Sequence, residues 1–171
     1  MSGIGSSAIK QICICVWDLE KAERSWNALL GRKAERLKTP RWSEVPSYTN
    51  NRADTFEDVE FLVYHLDGGL NLEIFGPGEG ETPWRTFLEK HGEGVMNVAF
   101  FVDDREEAYA KIHEFAAAKG PYHEGFYPGG TSTFVDTYDE LGVELNIKRD
   151  EDNTQRIRAY HADPASYSRE I

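Results

Sequence analysis

Four short segments of the chain alternate apolar and polar residues, a period of two that is typical of β-strands with one buried face. These segments span residues 11–16, 71–75, 97–102 and 143–147. Their apolar positions are expected to pack under helices, and they are Ile12, Ile14, Val16, Leu72, Ile74, Val98, Phe100, Val102, Val143, Leu145 and Ile147. The other positions point to the opposite face, and they are Gln11, Cys13, Glu73, Asn97, Glu144 and Asn146. A sheet with one apolar and one polar face predicts a concave site rather than the core of a sandwich.

The four segments form two matched pairs. When Gln11 is aligned with Asn97, Asp18 falls on Asp104, and each aspartate is a favourable N-cap for the helix that follows. The apolar positions of the first predicted helix are Leu19, Ala22, Trp26, Leu29 and Leu30. Those of the second are Ala108, Ile112, Phe115 and Ala116. The chain therefore contains an internal duplication.

Turn residues and short apolar runs complete each half. Asp67-Gly68-Gly69 is typical of a hairpin turn, and Thr82-Pro83 begins a short helix that runs through Lys90. The additional strands are predicted at 47–49, 59–66, 122–127 and 131–138, and two of the segments described first extend to 70–75 and 143–148. The order of strand, helix and three strands thus occurs twice, which predicts an α+β fold of two βαβββ modules in one domain over residues 1–171. Module one spans about 9–76, the linker helix about 82–91, module two about 95–148 and a charged tail 149–171.

The composition narrows the class of partner. The chain has 171 residues, of which 40% are hydrophobic, enough to fold around a core. Its net charge of −11 argues against nucleic acid and anionic membranes as partners, since both require clusters of lysine and arginine. No apolar run approaches a membrane span and the first residues lack a signal-peptide pattern, so we predict a cytoplasmic protein. Cys13 and Cys15 are expected to be free thiols.

Two stretches carry a resemblance to a known family: "ICICVWDLEKAERSWNALLG" in the first half and "GEGVMNVAFFVDDREEAYAKI" in the second. They resemble the vicinal oxygen chelate superfamily, in particular the glyoxalase/bleomycin-resistance group and methylmalonyl-CoA epimerase-like proteins, to which "EKHGEGVMNVAFFVDD" is similar. The resemblance covers roughly residues 9–148. It implies that eight strands of paired βαβββ modules form one cup-shaped sheet. It also implies a divalent metal held by four side chains, one from each of the four strands described first.

The implied metal positions are altered in this chain. The resemblance places the four ligands at Gln11, Glu73, Asn97 and Asn146, where the family has a His, a Glu or Gln, a His and a Glu. One carboxylate with three neutral amides is a poor site for zinc, iron, cobalt or nickel, and a weak one for calcium or magnesium. We therefore expect a cup without a metal or another cofactor, whose polar side chains face a small-molecule substrate.

Glu73 is the only acid among these four positions. In a partly apolar cup its pKa would rise and it could transfer protons; alternatively it is an ordinary carboxylate paired with a neighbouring amide. The hairpin register pairs His65 with Asn71. His65 therefore shares the face of Glu73 and is its predicted acid-base partner, or else a rim histidine in water.

Other residues are expected to complete the site. Gln11, Asn97 and Asn146 could donate hydrogen bonds to a carbonyl or enolate oxygen, or could satisfy one another. His123 is a second candidate proton donor, and its alternative is a surface position in a loop. The remaining residues predicted to line the substrate site are Asn71, Phe101, Tyr127, Tyr48 and Trp42. The tryptophans expected to serve in packing are Trp17, Trp26 and Trp84.

Two classes of function fit this pattern. One is a metal-independent isomerase, epimerase or lyase that moves a proton beside a carbonyl of a small organic molecule. The alternative is a binding protein that sequesters a small molecule, as the resistance proteins of this superfamily do. A metal-dependent dioxygenase is disfavoured because its His-His-Glu ligand set is missing. We also predict a homodimer, since members of the superfamily commonly pair.

Overall fold

The computed structural model describes residues 3–41, 44–117 and 119–163. Its helices are α1 (Leu19–Leu30), α2 (Pro83–His91), α3 (Arg105–His113), α4 (Tyr138–Leu141) and α5 (Thr154–Ala162). The strands of the first half are β1 (Ile9–Cys15), β2 (Glu35–Lys38), β3 (Ser47–Thr49), β4 (Arg52–Ala53), β5 (Glu60–His65) and β6 (Asn71–Phe75). Those of the second half are β7 (Gly94–Phe101), β8 (Pro121–Tyr127), β9 (Gly130–Val135) and β10 (Glu144–Asp150).

All ten of these strands join one sheet in the order β2-β5-β6-β1-β7-β10-β9-β8-β3-β4. The two central strands, β1 and β7, are antiparallel, and each has a parallel neighbour on its outer side, β6 for β1 and β10 for β7. The order β1-β6-β5-β2 in one half is therefore repeated as β7-β10-β9-β8 in the other. This arrangement confirms the predicted α+β class.

The sheet has ten strands instead of the predicted eight, because β2 and β4 were not predicted, whereas β3 matches the strand predicted at 47–49. β3 and β4 pair across the two residues Asn50 and Asn51. Both asparagines have positive φ, at 51° and 64°, as the central residues of a type I′ turn require. β3 also pairs with β8, so this hairpin of the first half extends the edge of the second half.

The two main helices cover one face of the sheet. Asp18 accepts a hydrogen bond from the Lys21 amide at 2.8 Å, and Asp104 accepts one from the Glu107 amide at 3.1 Å, so both predicted N-caps are confirmed. The residues under α1 include Ile12, Ile14, Leu62, Tyr64, Leu72 and Ile74. The residues under α3 include Val98, Phe100, Val102, Val135, Leu145 and Ile147.

Three apolar residues lie elsewhere than predicted. Leu29 is 73% exposed, because the buried stripe of α1 follows the spacing of Leu19, Trp26 and Leu30 and leaves Leu29 beside it. Phe115 is 50% exposed, because α3 already ends at His113. Trp17, predicted to pack, is 46% exposed and lies 5.9 Å from the Arg85 guanidinium in a cation–π contact.

The opposite face of the sheet is closed at one end by aromatic residues. Phe61, Phe75 and Trp84 form a parallel stack with successive ring centroids 4.4 Å apart. Trp84 belongs to α2, whose first turn is fixed by Thr82, the predicted N-cap, which accepts a hydrogen bond from the Arg85 amide. Because α2 lies over this end, the polar residues farther along the strands surround the remaining space.

The chain after β10 forms a helix rather than an irregular tail. The Asn153 side chain donates hydrogen bonds to the carbonyls of Tyr127 and Gly130 at 3.0 and 2.8 Å, which anchors the start of α5 beside the β8–β9 turn. Tyr160 of α5 is buried, so this part of the predicted charged tail packs against the rest of the chain. None of the described helices is both long enough and apolar enough to cross a membrane.

The layer between α1 and the sheet provides a stability test with a matched control. Leu62 is fully buried in this layer, and Leu62→Ala is expected to lower the free energy of unfolding by about 2–5 kcal/mol, because it leaves a cavity. Leu29→Ala, at the exposed position of α1, should change it by less than about 0.5 kcal/mol. Urea unfolding of the two variants measures both values. Equal losses would contradict the assignment of the buried face.

Candidate ligand site in the cup

A cavity of about 180 Å³ lies on the face of the sheet opposite α1 and α3. Its polar lining consists of Gln11, Thr39, Ser47, Glu73, Asn97, His123, Ser132, Asn146 and Lys148. Its aromatic lining consists of Phe56, Phe75, Trp84, Phe126, Tyr127 and Phe134. Both β6 and β8, which are separated by four strands in the sheet, contribute to this single cavity. The sheet therefore curves around the cavity as a cup.

A chain of hydrogen bonds links three of the polar side chains across the centre of the sheet. The Lys148 ammonium donates to Oε1 of Gln11 at 2.5 Å, and Nε2 of Gln11 donates to Oε2 of Glu73 at 2.8 Å. These residues come from β10, β1 and β6. The Gln11 amide thus connects a cation on one strand to a carboxylate on another.

The protonation of Glu73 is controlled by two opposing effects. Burial in the cup raises the pKa of its carboxyl group, because desolvation disfavours the charged form. The positive charges of Lys148 and His65 lower this pKa, and their effects are smaller than that of desolvation. Glu73 therefore combines both predicted alternatives: its carboxylate is paired with the Gln11 amide and its pKa is raised, so it can accept a proton more readily than an exposed glutamate.

Asn97 lies at the bottom of the cavity and is fully buried. Neither atom of its side-chain amide has a hydrogen-bond partner among the described residues. A buried polar group without a partner costs about 1–3 kcal/mol. A ligand that supplies both an acceptor and a donor at this point would remove that cost. Asn146, by contrast, accepts a hydrogen bond from Ser132 at 2.9 Å.

His123 lies on the far wall of the cavity, on β8, and is buried rather than part of a surface loop. Its Nδ1 is hydrogen-bonded to Oγ1 of Thr49 at 2.8 Å and lies 3.6 Å from Oδ2 of the buried Asp54. Both partners belong to the β3–β4 hairpin or the residue after it. The hairpin thus positions the imidazole with one side toward a carboxylate.

Other predicted site residues lie outside this cavity. His65 and Asn71 are paired in register as predicted and are hydrogen-bonded at 2.9 Å, but the His65 side chain is 68% exposed and also reaches Glu35. Tyr48 and Phe101 are half-buried and do not line the cavity, although the Phe101 ring is 5.9 Å from the Lys148 ammonium. The predicted Trp42 lies outside the described residues.

Several residues of the site were not predicted. Lys148 continues the period-two alternation of Glu144 and Asn146, so the pattern itself contained this signal. Trp84, predicted as a packing residue, packs on Phe75 and also lines the cavity. Asp54 had no comparable signal, because its position depends on a hairpin whose pairing with β8 is not encoded locally.

The side chains at the positions implied for a metal do not fit one. Both ends of the Gln11 amide are engaged, one with an ammonium group and the other with Glu73. Within the described residues no group of three or more His, Cys, Asp or Glu side chains could hold a metal ion. Transition metals in proteins depend on imidazole, thiolate and carboxylate ligands, and amides do not replace them.

The sequence and the fold were compared with known proteins. Residues 10–135 match the family model described as the glyoxalase/bleomycin resistance protein/dioxygenase superfamily, which is more than half of the chain. The chain belongs to this superfamily. No curated protein matches the sequence significantly.

Solved structures with the superfamily fold include several methylmalonyl-CoA epimerases. One, in complex with methylmalonyl-CoA and NH4+, shares 21% identity and a TM-score of 0.57 over 85% of this chain and 95% of its own. A variant of the Streptomyces coelicolor enzyme, in complex with 2-nitronate-propionyl-CoA, shares 21% identity and a TM-score of 0.56, again over 85% of this chain and 95% of its own. The Mycobacterium tuberculosis enzyme shares 13% identity and a TM-score of 0.60 over 91% of this chain and 96% of its own. At these identities the likeness concerns the fold.

Another buried carboxyl group lies on β10 outside the cavity. Glu144 accepts a hydrogen bond from the Tyr122 hydroxyl at 2.6 Å. Desolvation raises the pKa of Glu144 from 4.5 to about 7, and the Tyr122 hydrogen bond offsets only part of this increase. The folded state therefore binds more protons than the unfolded state between these two pH values.

This difference in proton binding predicts a pH-dependent stability. The stabilising contribution of protonated Glu144 is complete below pH 4.5 and is lost as the pH rises to about 7, on the order of 1–3 kcal/mol. Glu144→Gln, which stays neutral, should match the wild type at pH 4.5 and be more stable at pH 8. Thermal unfolding across this range measures the difference. The exposed Glu140→Gln serves as the control, and parallel curves for Glu144→Gln and wild type would contradict the prediction.

Proposed function

We propose that the protein catalyses proton transfer beside a carbonyl group of a small organic molecule, as an isomerase, an epimerase or a lyase. The observation that carries this proposal is a pair of titratable side chains that line the same cavity. Glu73 lies on β6 and His123 on β8, and four strands separate them in the sheet. The two groups therefore approach a bound molecule from different walls.

Such an arrangement suits a reaction in which one group removes a proton and the other returns one. Glu73 acts as the base, because burial raises the pKa of its carboxyl group. His123 acts as the acid, and Asp54 favours its protonated form from 3.6 Å. Removal of a proton on one face of a carbon and return on the other inverts that carbon. The methylmalonyl-CoA epimerases among the similar structures support the epimerase form of this proposal.

Proton removal beside a carbonyl creates a negatively charged oxygen, which requires hydrogen-bond donors. Asn97 supplies such a donor, because its buried amide has no partner among the described residues. Gln11 and Asn146 have protein partners, so their part in this proposal is to hold Glu73 and the wall of the cavity in place. His65 has a smaller role, through the effect of its charge on Glu73.

The proposal includes no metal and no other cofactor, since the side chains at the implied ligand positions do not fit a metal. The cavity, at about 180 Å³, is large enough for an acyl group or a small aromatic molecule. We place the protein in the cytoplasm, with a small molecule as its ligand and neither nucleic acid nor membrane as a partner.

The aromatic lining favours a second candidate function, the binding and sequestration of a small molecule. The Trp84 ring and the Phe75 ring lie parallel with centroids 4.4 Å apart, and both line the cavity. Planar ligands pack well against such rings, which contribute about 0.5–1.5 kcal/mol beyond the burial of area. A binding protein would hold its ligand tightly without exchanging its protons, and the following experiment distinguishes the two functions.

The proposed base is tested by solvent deuterium exchange. Carbonyl metabolites are screened by NMR in D2O for exchange of a C–H proton that depends on the protein. For a molecule found in this way, Glu73→Gln should lower the rate of exchange by about 10²–10⁴-fold, because the base is lost while the shape is kept. His123→Gln should slow the return of the proton on the second face, and hence inversion, more than exchange.

The control for both variants is Glu106→Gln, which changes an exposed glutamate on α3. Full exchange by Glu73→Gln would show that the assigned base is wrong. If a ligand binds tightly to the wild-type protein and none of its C–H protons exchange, the function is sequestration rather than catalysis.

We also propose that the protein is a homodimer. The β2 strand lies at one edge of the sheet and is exposed along its length, and an unpaired edge needs cover. Light scattering at micromolar concentration should give twice the mass of 19.4 kDa. A mass of one chain under these conditions would count against the proposal.

A further inference from the structure

We infer that Lys148 supplies the positive charge at the polar end of the cup and binds a negatively charged or strongly polarised oxygen of the ligand. The inference names a group that the ligand must carry, and in its catalytic part it rests on the proposed function. Lys148 would have the electrostatic role that the family's ligand set assigns to a divalent cation. The chain thus carries its cation as part of a side chain.

The Lys148 ammonium group has no direct ion pair among the described residues, and its link to the Glu73 carboxylate runs through the Gln11 amide. No carboxylate of the described residues lies within 4.0 Å of its ammonium group, although the side chain is half-buried in the lining of the cavity. An ammonium group has three N–H donors. Among the described residues only the Gln11 amide oxygen accepts one of them. A half-buried cation in contact with a neutral amide and, at 5.9 Å, the Phe101 ring has the capacity to bind an anion.

Other charged residues near the cup do not have this property. Arg105 is paired with the buried Glu124 at 2.7 Å, and Lys90 is paired with Asp136 at 3.2 Å. Their charges are compensated within the protein. Lys148 is also connected to the proposed base, because Gln11 bridges it to Glu73 by hydrogen bonds of 2.5 and 2.8 Å.

This connection gives the ammonium group two effects on one reaction. It stabilises the ionised form of Glu73, so that a buried carboxylate can still accept a proton. It also lies next to the space where an enolate oxygen would form when that proton leaves the carbon. The electrons of the broken C–H bond then form the enolate, and the proton resides on Glu73. The ligand class is therefore a small molecule with a carboxylate or an enolisable carbonyl oxygen at the polar end of the cavity.

The first experiment requires no ligand. The pKa of the Glu73 carboxyl group is measured by ¹³C NMR titration in the wild type, Lys148→Met and Lys148→Arg. Lys148→Met removes the charge and keeps most of the volume, so the pKa should rise clearly. Lys148→Arg should leave it close to the wild-type value, because the charge is retained. Lys33→Met, at an exposed position, is the control and should change nothing.

The second experiment measures binding of two probes of nearly equal shape, benzoate and benzamide, by NMR titration. The wild type should bind benzoate at least about ten-fold more tightly, as expected for one additional charge-assisted hydrogen bond. Lys148→Met should lose this preference and Lys148→Arg should keep part of it. Thermal unfolding of each variant shows whether it is folded. If Lys148→Met does not fold, Lys148→Gln takes its place as the variant without the charge and is compared with Lys148→Arg.

These outcomes separate the inference from the proposed function. An unchanged pKa of Glu73 in a folded Lys148→Met would overturn the electrostatic role. Equal or absent binding of the two probes by the wild type, or an unchanged preference in Lys148→Met, would overturn the anion site. Neither readout depends on turnover, so a failure of the Glu73→Gln exchange test would refute the proposed catalysis and leave the charge and binding measurements intact.

Discussion

The strict alternation of side chains along the four central strands is the constraint on which the rest of the molecule depends. Because β6, β1, β7 and β10 are adjacent, one set of alternate residues forms a continuous apolar surface for α1 and α3. The other set can then be polar where it faces the cavity or finds a hydrogen-bond partner, as Glu144 does in Tyr122. A shift of one residue in any of these strands would exchange the two faces and would bury Glu73 under a helix.

Aromatic residues at one end of this polar face determine where the cavity lies. The stack of Phe61, Phe75 and Trp84 lies at the end of the cup nearest α2, and its Phe75 and Trp84 rings form part of the wall of the cavity. The polar residues lie beyond the stack. A ligand that fits this lining therefore has an apolar body and a charged or polarised end.

The sequence predicted most of the fold because its signals were local. The N-caps Asp18 and Asp104, the Asp67-Gly68-Gly69 turn and the period-two strands each depend on neighbouring residues only. Gln11, Glu73, Asn97 and Asn146 were brought to one cavity as predicted, since their faces follow from the same periodicity. The contribution of Asp54 could not be predicted, because it depends on β3 pairing with β8, a strand more than 70 residues later.

The role of Lys148 illustrates a second limit of sequence reasoning. Its side chain shares a face with Asn146, yet a lysine two positions from the end of a strand is typical of a solvated rim. What distinguishes it is that, among the described residues, it reaches a carboxylate, Glu73, only through the Gln11 amide, and only three-dimensional distances reveal that. Glu73, the acid linked to it, has its pKa raised by burial more than Lys148 lowers it. Without a ligand, the charge of Lys148 therefore offsets only part of the desolvation of Glu73. An oxygen anion bound at Lys148 would raise the proton affinity of Glu73 further. Formation of the enolate and protonation of Glu73 would then reinforce each other, which is the coupling that proton abstraction beside a carbonyl requires.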